Sequence, residues 1–137
     1  CLARGEAAKL FAPGMHGTTF GGNQLACAAA LAVVDIMEKE SIPAQAAETG
    51  KQLLNGFRQA LNDVEGVTEI RGLGMMIGIE LDRPCAELVT QALDMGLLIN
   101  VTADKTVRLL PPLNMDNSES VQLIEGVSTL IKNFLQA

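Results

Sequence analysis

The stretch Val67-Thr-Glu-Ile-Arg-Gly-Leu-Gly-Met-Met-Ile-Gly-Ile-Glu-Leu81 decides the fold class, because the period of the sequence changes here from helical to extended. Two strand-like runs flank a glycine-rich turn signal. In the second run, Ile77, Ile79 and Leu81 alternate with small or polar residues. This alternation predicts a strand with one face buried in a core and the other face turned away from it.

Helical and extended patterns lie on both sides of this stretch. The patterns predict helices near residues 24–39, 43–62, 84–95 and 117–136, and further strands at 97–101 and 106–110. From Val67 onward, the order is therefore strand, strand, helix, strand, strand, helix. We expect an α+β module in which a small mixed sheet carries helices on one side.

Two local signals set helix ends in this region. Gly96 stands where the helix near 84–95 should stop, and glycine is the residue that most often ends a helix in the left-handed conformation. Asp116, followed three residues later by Glu119, resembles a capping box at the start of the last helix.

Composition limits the classes of function. With 137 residues, 48% hydrophobic and 19% charged, the chain should be globular and should form a substantial core. A net charge of −6 argues against binding to nucleic acid or a membrane surface, but it leaves room for one small anion held locally. The longest apolar run, 25–36, is interrupted by Asp35 and is too short to span a bilayer.

The cysteines and the single histidine do not form a metal-binding pattern. Cys1, Cys27 and Cys85 are widely spaced without a CxxC pair, and His16 has no metal-ligating neighbours in the sequence. We predict no metal site. Three unpaired cysteines of this kind suit small structural residues in a reducing cytoplasm.

A hydroxyl-glycine segment, His16-Gly-Thr-Thr-Phe-Gly-Gly-Asn23, precedes an alanine-rich helix pattern. Thr18 and Thr19 could offer hydroxyl and amide donors to an anion, and the following helix N-terminus would add positive potential. The alternative is an ordinary glycine-rich turn between two elements, because such a segment alone is a weak motif.

Arginines in two predicted strands are the other candidates. Arg108 stands between apolar strand neighbours, so it should point away from the core. It could face a cleft and bind a carboxylate, or it could pair with an acid at the sheet rim. Arg71 could likewise face an anion, although a role in the hairpin is the favoured interpretation.

Several segments, taken together and in order, resemble the C-terminal part of class-III, fold-type-I aminotransferases. The segments are Cys1-Leu-Ala-Arg4, His16 to Asn23 with Leu25-Ala26, Ile70-Arg-Gly-Leu-Gly-Met75, Gly96-Leu-Leu-Ile-Asn100 and Val107-Arg-Leu-Leu-Pro-Pro-Leu113. They cover essentially the whole chain. Each is weak alone, and their combination is specific to the family.

The resemblance implies transfer of an amino group with pyridoxal phosphate as cofactor. Thr19 matches the threonine that binds the cofactor phosphate of the neighbouring subunit in a homodimer, and Thr18 matches the adjacent position that contacts substrate. Arg108 matches an arginine implicated in handling substrate carboxylates. The implied donor is the terminal amine of N-acetylornithine and the acceptor is 2-oxoglutarate, as in arginine biosynthesis. Succinylornithine, succinyldiaminopimelate and ornithine remain alternative donors.

The resemblance also implies a division of the chain and an absence of catalytic residues. Residues 1–41 would be the end of the large cofactor-binding domain, with its long connecting helix, and residues 42–137 would be the C-terminal small domain. The family's Schiff-base lysine matches no lysine here and would lie upstream, so we expect the fragment to be inactive alone. A free-standing, non-catalytic α+β module that binds an anion or a partner is the alternative of another class.

Overall fold

The computed structural model describes residues 3–15 and 17–136, and it divides the chain into two compact units, Cys1–Lys39 and Glu40–Ala137. Cys1 and His16, discussed above, lie outside the described residues. The first unit contains a short 3-10 helix, Gly5–Lys9, and helix α1, Gln24–Lys39. Within the described residues, no helix is long and apolar enough to cross a membrane.

The second unit contains three helices and four strands. In chain order they are α2 (Ile42–Leu61), β1 (Val67–Leu73), β2 (Met76–Leu81), α3 (Leu88–Asp94), β3 (Asn100–Thr102), β4 (Thr106–Leu109) and α4 (Asn117–Gln136). The predicted α+β class is confirmed. The helix before β3 is shorter than the pattern over 84–95 suggested, and β3 begins later than expected.

The sheet has the strand order β1-β2-β4-β3, and every neighbouring pair is antiparallel. The expectation of a mixed sheet is therefore wrong. Strands β2 and β3 do run in the same direction, because α3 carries the chain back between them. However, the hairpin that joins β3 to β4 places β4 between them, so the two parallel strands never pair.

One face of the sheet and three helices enclose a single core. The buried aliphatic residues of β2, Ile77, Ile79 and Leu81, are fully or almost fully inaccessible, as the alternation predicted. They pack with residues from each helix of this unit; Leu53, Phe57, Leu61, Leu88, Ala92, Val127, Leu130 and Ile131 are the main ones. Because the three helices of the second unit all cover this face, no helix of that unit covers the opposite face, which we call the open face.

Both predicted helix-end signals are confirmed in atomic detail. Gly96 has φ of 74°, and its N–H donates to the Leu93 carbonyl at 3.0 Å while the Leu97 N–H donates to the Ala92 carbonyl at 2.8 Å. This is the Schellman arrangement. At α4, the Glu119 N–H donates to Asp116 Oδ1 at 2.8 Å, and the Asp116 N–H donates to Glu119 Oε2 at 2.9 Å.

The open face carries a chain of ion pairs across three strands. Arg71 on β1 lies 2.6 Å from the carboxylate of Glu69 and 2.8 Å from that of Glu80 on β2. Glu80 also lies 2.8 Å from Lys105, which precedes β4. Hydrogen bonds from Lys105 and then from Arg71 lower the pKa of Glu80 below its ordinary value of 4.5.

Helix α2 approaches the hairpin between β1 and β2 closely at Gly50. A methyl group on Gly50 would clash with the backbone carbonyl of Gly74, which cannot move aside without disturbing the hairpin turn. We expect Gly50→Ala to lower the free energy of unfolding by about 1–3 kcal/mol, a range typical of overpacking. Urea unfolding of wild type and of Gly50→Ala measures this change in the free energy of unfolding.

The matched control for this substitution is Gly56→Ala on the same helix. There a methyl group would clash with the Cδ1 atom at the end of the Ile124 side chain and would otherwise meet only other atoms of that side chain, which can rotate away. Both variants gain the same helix propensity, about 1 kcal/mol. Equal stability of the two variants would contradict the close approach at Gly50.

The lowered pKa of Glu80 predicts a pH dependence. A carboxylate with a depressed folded-state pKa contributes stability above its unfolded pKa, and the contribution disappears as the pH falls through the folded value. We therefore expect wild type to be more stable than Glu80→Gln at pH 7, with the difference shrinking as the pH falls below 4.5 and through the lower folded pKa of Glu80. Urea unfolding midpoints of wild type and Glu80→Gln, measured between pH 7 and pH 3, test this pH dependence. Glu125→Gln, at an exposed position, is the control. A difference that does not shrink as the pH falls below 4.5 would contradict the assignment.

Candidate functional site

A depression of about 330 Å³ lies on the open face of the sheet. Its lining residues come from β1, β2, β3 and β4: Arg71, Gly72, Leu73, Met76, Ile77, Gly78, Thr102, Thr106 and Arg108. The floor is mostly apolar, and two arginines stand at its sides. This combination of apolar surface with a few convergent polar groups is typical of a small-molecule site.

Arg108 lies in the centre of the sheet on its open face. In the antiparallel register it is opposite Gly78 on β2 and Asn100 on β3. Its neighbours Val107 and Leu109 are buried, so the strand alternation forces Arg108 outward, as the sequence indicated. Within residues 3–15 and 17–136, it makes no ion pair and no side-chain hydrogen bond, so the rim-pairing interpretation has no acid to support it there.

Arg71 occupies a different electrostatic position from Arg108. Its pairs with Glu80 and Glu69 raise the pKa of the guanidinium further above its ordinary value. Together with Lys105, these groups carry two positive and two negative charges, so their local sum is zero. Arg71 thus links β1 to β2 through its ion pair with Glu80. Among the described groups that line the depression, Arg108 is the one whose positive charge is not balanced by a nearby carboxylate.

Thr18 and Thr19 belong to the first unit and precede α1 by several residues. Both are exposed, in an irregular segment that ends in a turn at Gly21 and Gly22. Among the described residues, neither hydroxyl has a hydrogen-bond partner. The Thr18 methyl group occupies the position that a side chain on Gly21 would need. Glycine at position 21 therefore allows the segment to fold closely on itself.

Asn23 is the N-cap of α1, which the sequence interpretation had overlooked. Its Oδ1 accepts from the Ala26 N–H at 2.9 Å, and its Nδ2 donates to the Phe20 carbonyl at 2.6 Å. The helix N-terminus is therefore partly satisfied by its own cap. The two threonines and their neighbouring amides remain the available donors of this segment, while Asn23 fixes how the segment enters the helix.

The lysines of the chain occupy surface positions. Four of them form exposed ion pairs: Lys9 with Glu6, Lys39 with Asp35, Lys51 with Glu48 and Lys105 with Glu80. Among the described residues, no group of three acidic, histidine or cysteine side chains could hold a metal ion. Cys85 is buried, and desolvation raises the pKa of its thiol, which makes it a poor nucleophile.

Sequence reasoning missed Gly78, Glu80 and Lys105 as parts of this site. The signal for the first two was present, because the alternation that buries Ile77 and Ile79 also places Gly78 and Glu80 on the face of Arg108. No pattern along the chain predicts that Lys105, in a turn, reaches Glu80, since that contact depends on the pairing of β4 with β2.

Comparison with known proteins identifies the family of the chain. The class-III aminotransferase family profile matches residues 1–131. Acetylornithine aminotransferase 1 of Bordetella bronchiseptica is 54% identical over 134 residues, which cover 98% of this chain and 34% of that protein. Acetylornithine aminotransferase of Nitrosomonas europaea is 50% identical over 137 residues, which cover 100% of this chain and 35% of that protein.

A solved structure shares the fold. The crystal structure of ornithine aminotransferase from Toxoplasma gondii superimposes with a TM-score of 0.81 and 27% identity, covering 98% of this chain and 33% of that one. The chain thus spans about a third of the length of the relatives it matches. Because the family profile covers nearly all of it, the chain belongs to the class-III aminotransferases.

Proposed function

We propose that this chain is part of an acetylornithine aminotransferase that transfers the terminal amino group of N-acetylornithine to 2-oxoglutarate. The observation that carries the proposal is 54% identity to acetylornithine aminotransferase 1 over 98% of the chain. An alignment over 98% of the chain includes parts of both units. The open-face depression with an uncompensated arginine supports it, because both substrates carry carboxylates.

Pyridoxal phosphate is the cofactor of the proposed enzyme, and it supplies the electron sink that amino-group transfer needs. Residues 17–23 fit one part of such a site. The exposed Thr19 hydroxyl, which has no hydrogen-bond partner among the described residues, and nearby backbone amides would donate to the phosphate, and Thr18 would meet the substrate. In the family resemblance no lysine of this chain matches the one that anchors the cofactor, so that lysine would come from the remainder of the protein.

Arg108 would bind a substrate carboxylate with the two parallel N–H donors of its guanidinium. Such bidentate pairs fix orientation as well as position, and a charged partner strengthens each hydrogen bond. The apolar side chains that line the depression, Leu73 and Met76, would exclude water from one side of the contact. Exclusion of water strengthens the electrostatic attraction between the arginine and the carboxylate.

In the proposed enzyme, residues 1–41 end the large domain and residues 42–137 form the small domain of a cytoplasmic homodimer with shared active sites. The first unit supports this. Among its described residues none is buried, and α1 leaves large apolar side chains such as Leu25 and Leu31 exposed. An apolar helix of this kind needs a larger surface to cover it.

Kinetics on the full-length protein that contains this sequence test the function. We expect kcat/KM for N-acetylornithine to exceed that for ornithine, succinylornithine and succinyldiaminopimelate, because an enzyme discriminates by differential binding of the transition state. The readout is glutamate formed from 2-oxoglutarate with each amine in turn. A higher kcat/KM for another amine would identify that amine as the donor instead. If no amine donated its amino group to 2-oxoglutarate, the proposed function would be refuted.

The two threonines should separate cofactor binding from substrate binding. Thr19→Ala removes one charge-assisted hydrogen bond, worth about 1.5–3 kcal/mol, so we expect pyridoxal phosphate to bind roughly tenfold more weakly or worse. Thr18→Ala should instead raise KM for substrate and leave cofactor affinity near that of wild type. Equilibrium titration of the apoenzyme measures the first effect. Unchanged cofactor affinity in Thr19→Ala would remove Thr19 from the phosphate site.

A further inference from the structure

We propose that Gly78 determines the specificity of the carboxylate site: the absence of a side chain there keeps open the slot beside Arg108 into which the carboxylate end of the substrate enters. This inference depends on the proposed function for the identity of the substrate. It is carried by the geometry of the open sheet face, the local balance of charge and the steric environment of Gly78.

The register places Gly78 between the two arginines in one row across the sheet. Gly78 on β2 pairs with Arg71 on β1 and with Arg108 on β4, and all three face away from the core. Neighbouring strands lie about 4.8 Å apart, so the backbones of the two arginines are about 10 Å apart. Any side chain at position 78 would stand in this gap, and the bare backbone forms the floor of the depression instead.

The charges direct an anion to one side of the slot. Arg71 is neutralised by Glu69 and Glu80, and Glu80 is shared with Lys105. Arg108 has no such partner in the described part of the chain. A carboxylate entering the slot is therefore attracted to Arg108, while the aliphatic stem of Arg71, whose pairs hold its guanidinium in place, forms the opposite wall.

The fold itself does not require glycine at position 78. Its φ is outside the left-handed region, and a Cβ there would meet Thr106 Cγ2 at 3.4 Å and Arg71 Cγ at 3.8 Å, which are ordinary contacts. Gly72, by contrast, would bring a Cβ to 2.8 Å from the Met76 carbonyl. Glycine within a strand lowers stability, so the absence of a side chain at Gly78 serves the site rather than the fold.

Substitution of Gly78 in the full-length enzyme tests this. Gly78→Ala adds one methyl to the floor of the slot, so we expect KM for 2-oxoglutarate to rise roughly tenfold, and Gly78→Val to raise it further. The thermal midpoint should equal or exceed that of wild type, because the fold accommodates a Cβ. Isothermal titration with glutarate, a dicarboxylate that cannot react, should show a matching loss of affinity.

Controls separate this inference from the proposed function. Ser118→Thr adds a methyl to an exposed position of α4 outside the depression and should leave glutarate affinity unchanged. Arg108→Ala should weaken glutarate binding more than Gly78→Ala does. If wild type transfers amino groups but Gly78→Ala alters neither KM nor glutarate affinity, the inference is overturned while the function stands.

Two other outcomes are also decisive. If wild type transfers no amino group, the proposed function fails, and glutarate titration alone decides the inference: weaker binding to Gly78→Ala supports the slot, and equal binding overturns it. A lower thermal midpoint in Gly78→Ala would overturn the inference as well, because it would show that the fold, and not the site, requires glycine.

Discussion

The burial of Ile77, Ile79 and Leu81 against the helices is the constraint on which the rest of the second unit depends. Because side chains alternate along a strand, burying these three residues fixes which residues of β2 face outward. The antiparallel register with β2 then determines which residues of β1 and β4 face the core and which face outward. A slip of one residue would move Arg108 into the core, so the packing that stabilises the sheet also presents the site.

The open face illustrates how neighbouring charges acquire different roles. Arg71 and Arg108 stand in the same row, but in the described part of the chain only the first has carboxylates within hydrogen-bonding distance. Exposed pairs of this kind contribute little to stability individually. Their larger effect here is to cancel charge around Arg71, so that an incoming anion meets one uncompensated arginine instead of two.

Sequence predicted the features that depend on neighbours along the chain. The Gly96 stop, the Asp116–Glu119 capping box and the alternation of β2 each involve residues a few positions apart, and each is confirmed. The antiparallel order was missed because it depends on which strands pair after α3. The ion pair of Lys105 with Glu80 was missed for the same reason, since only the pairing of distant strands brings those residues together.

The balance of charge explains how an acidic chain can offer an anion site. The net charge is −6, so the long-range field of the chain repels anions. At physiological ionic strength, however, exposed charges are largely screened beyond about 8 Å, and the groups within the depression dominate there. Glu69 and Glu80 are the nearby acids, and their charge is already balanced by Arg71 and Lys105. In the proposed enzyme, Arg108 would therefore act through a local positive potential, which would favour a small carboxylate that enters the depression over an extended polyanion.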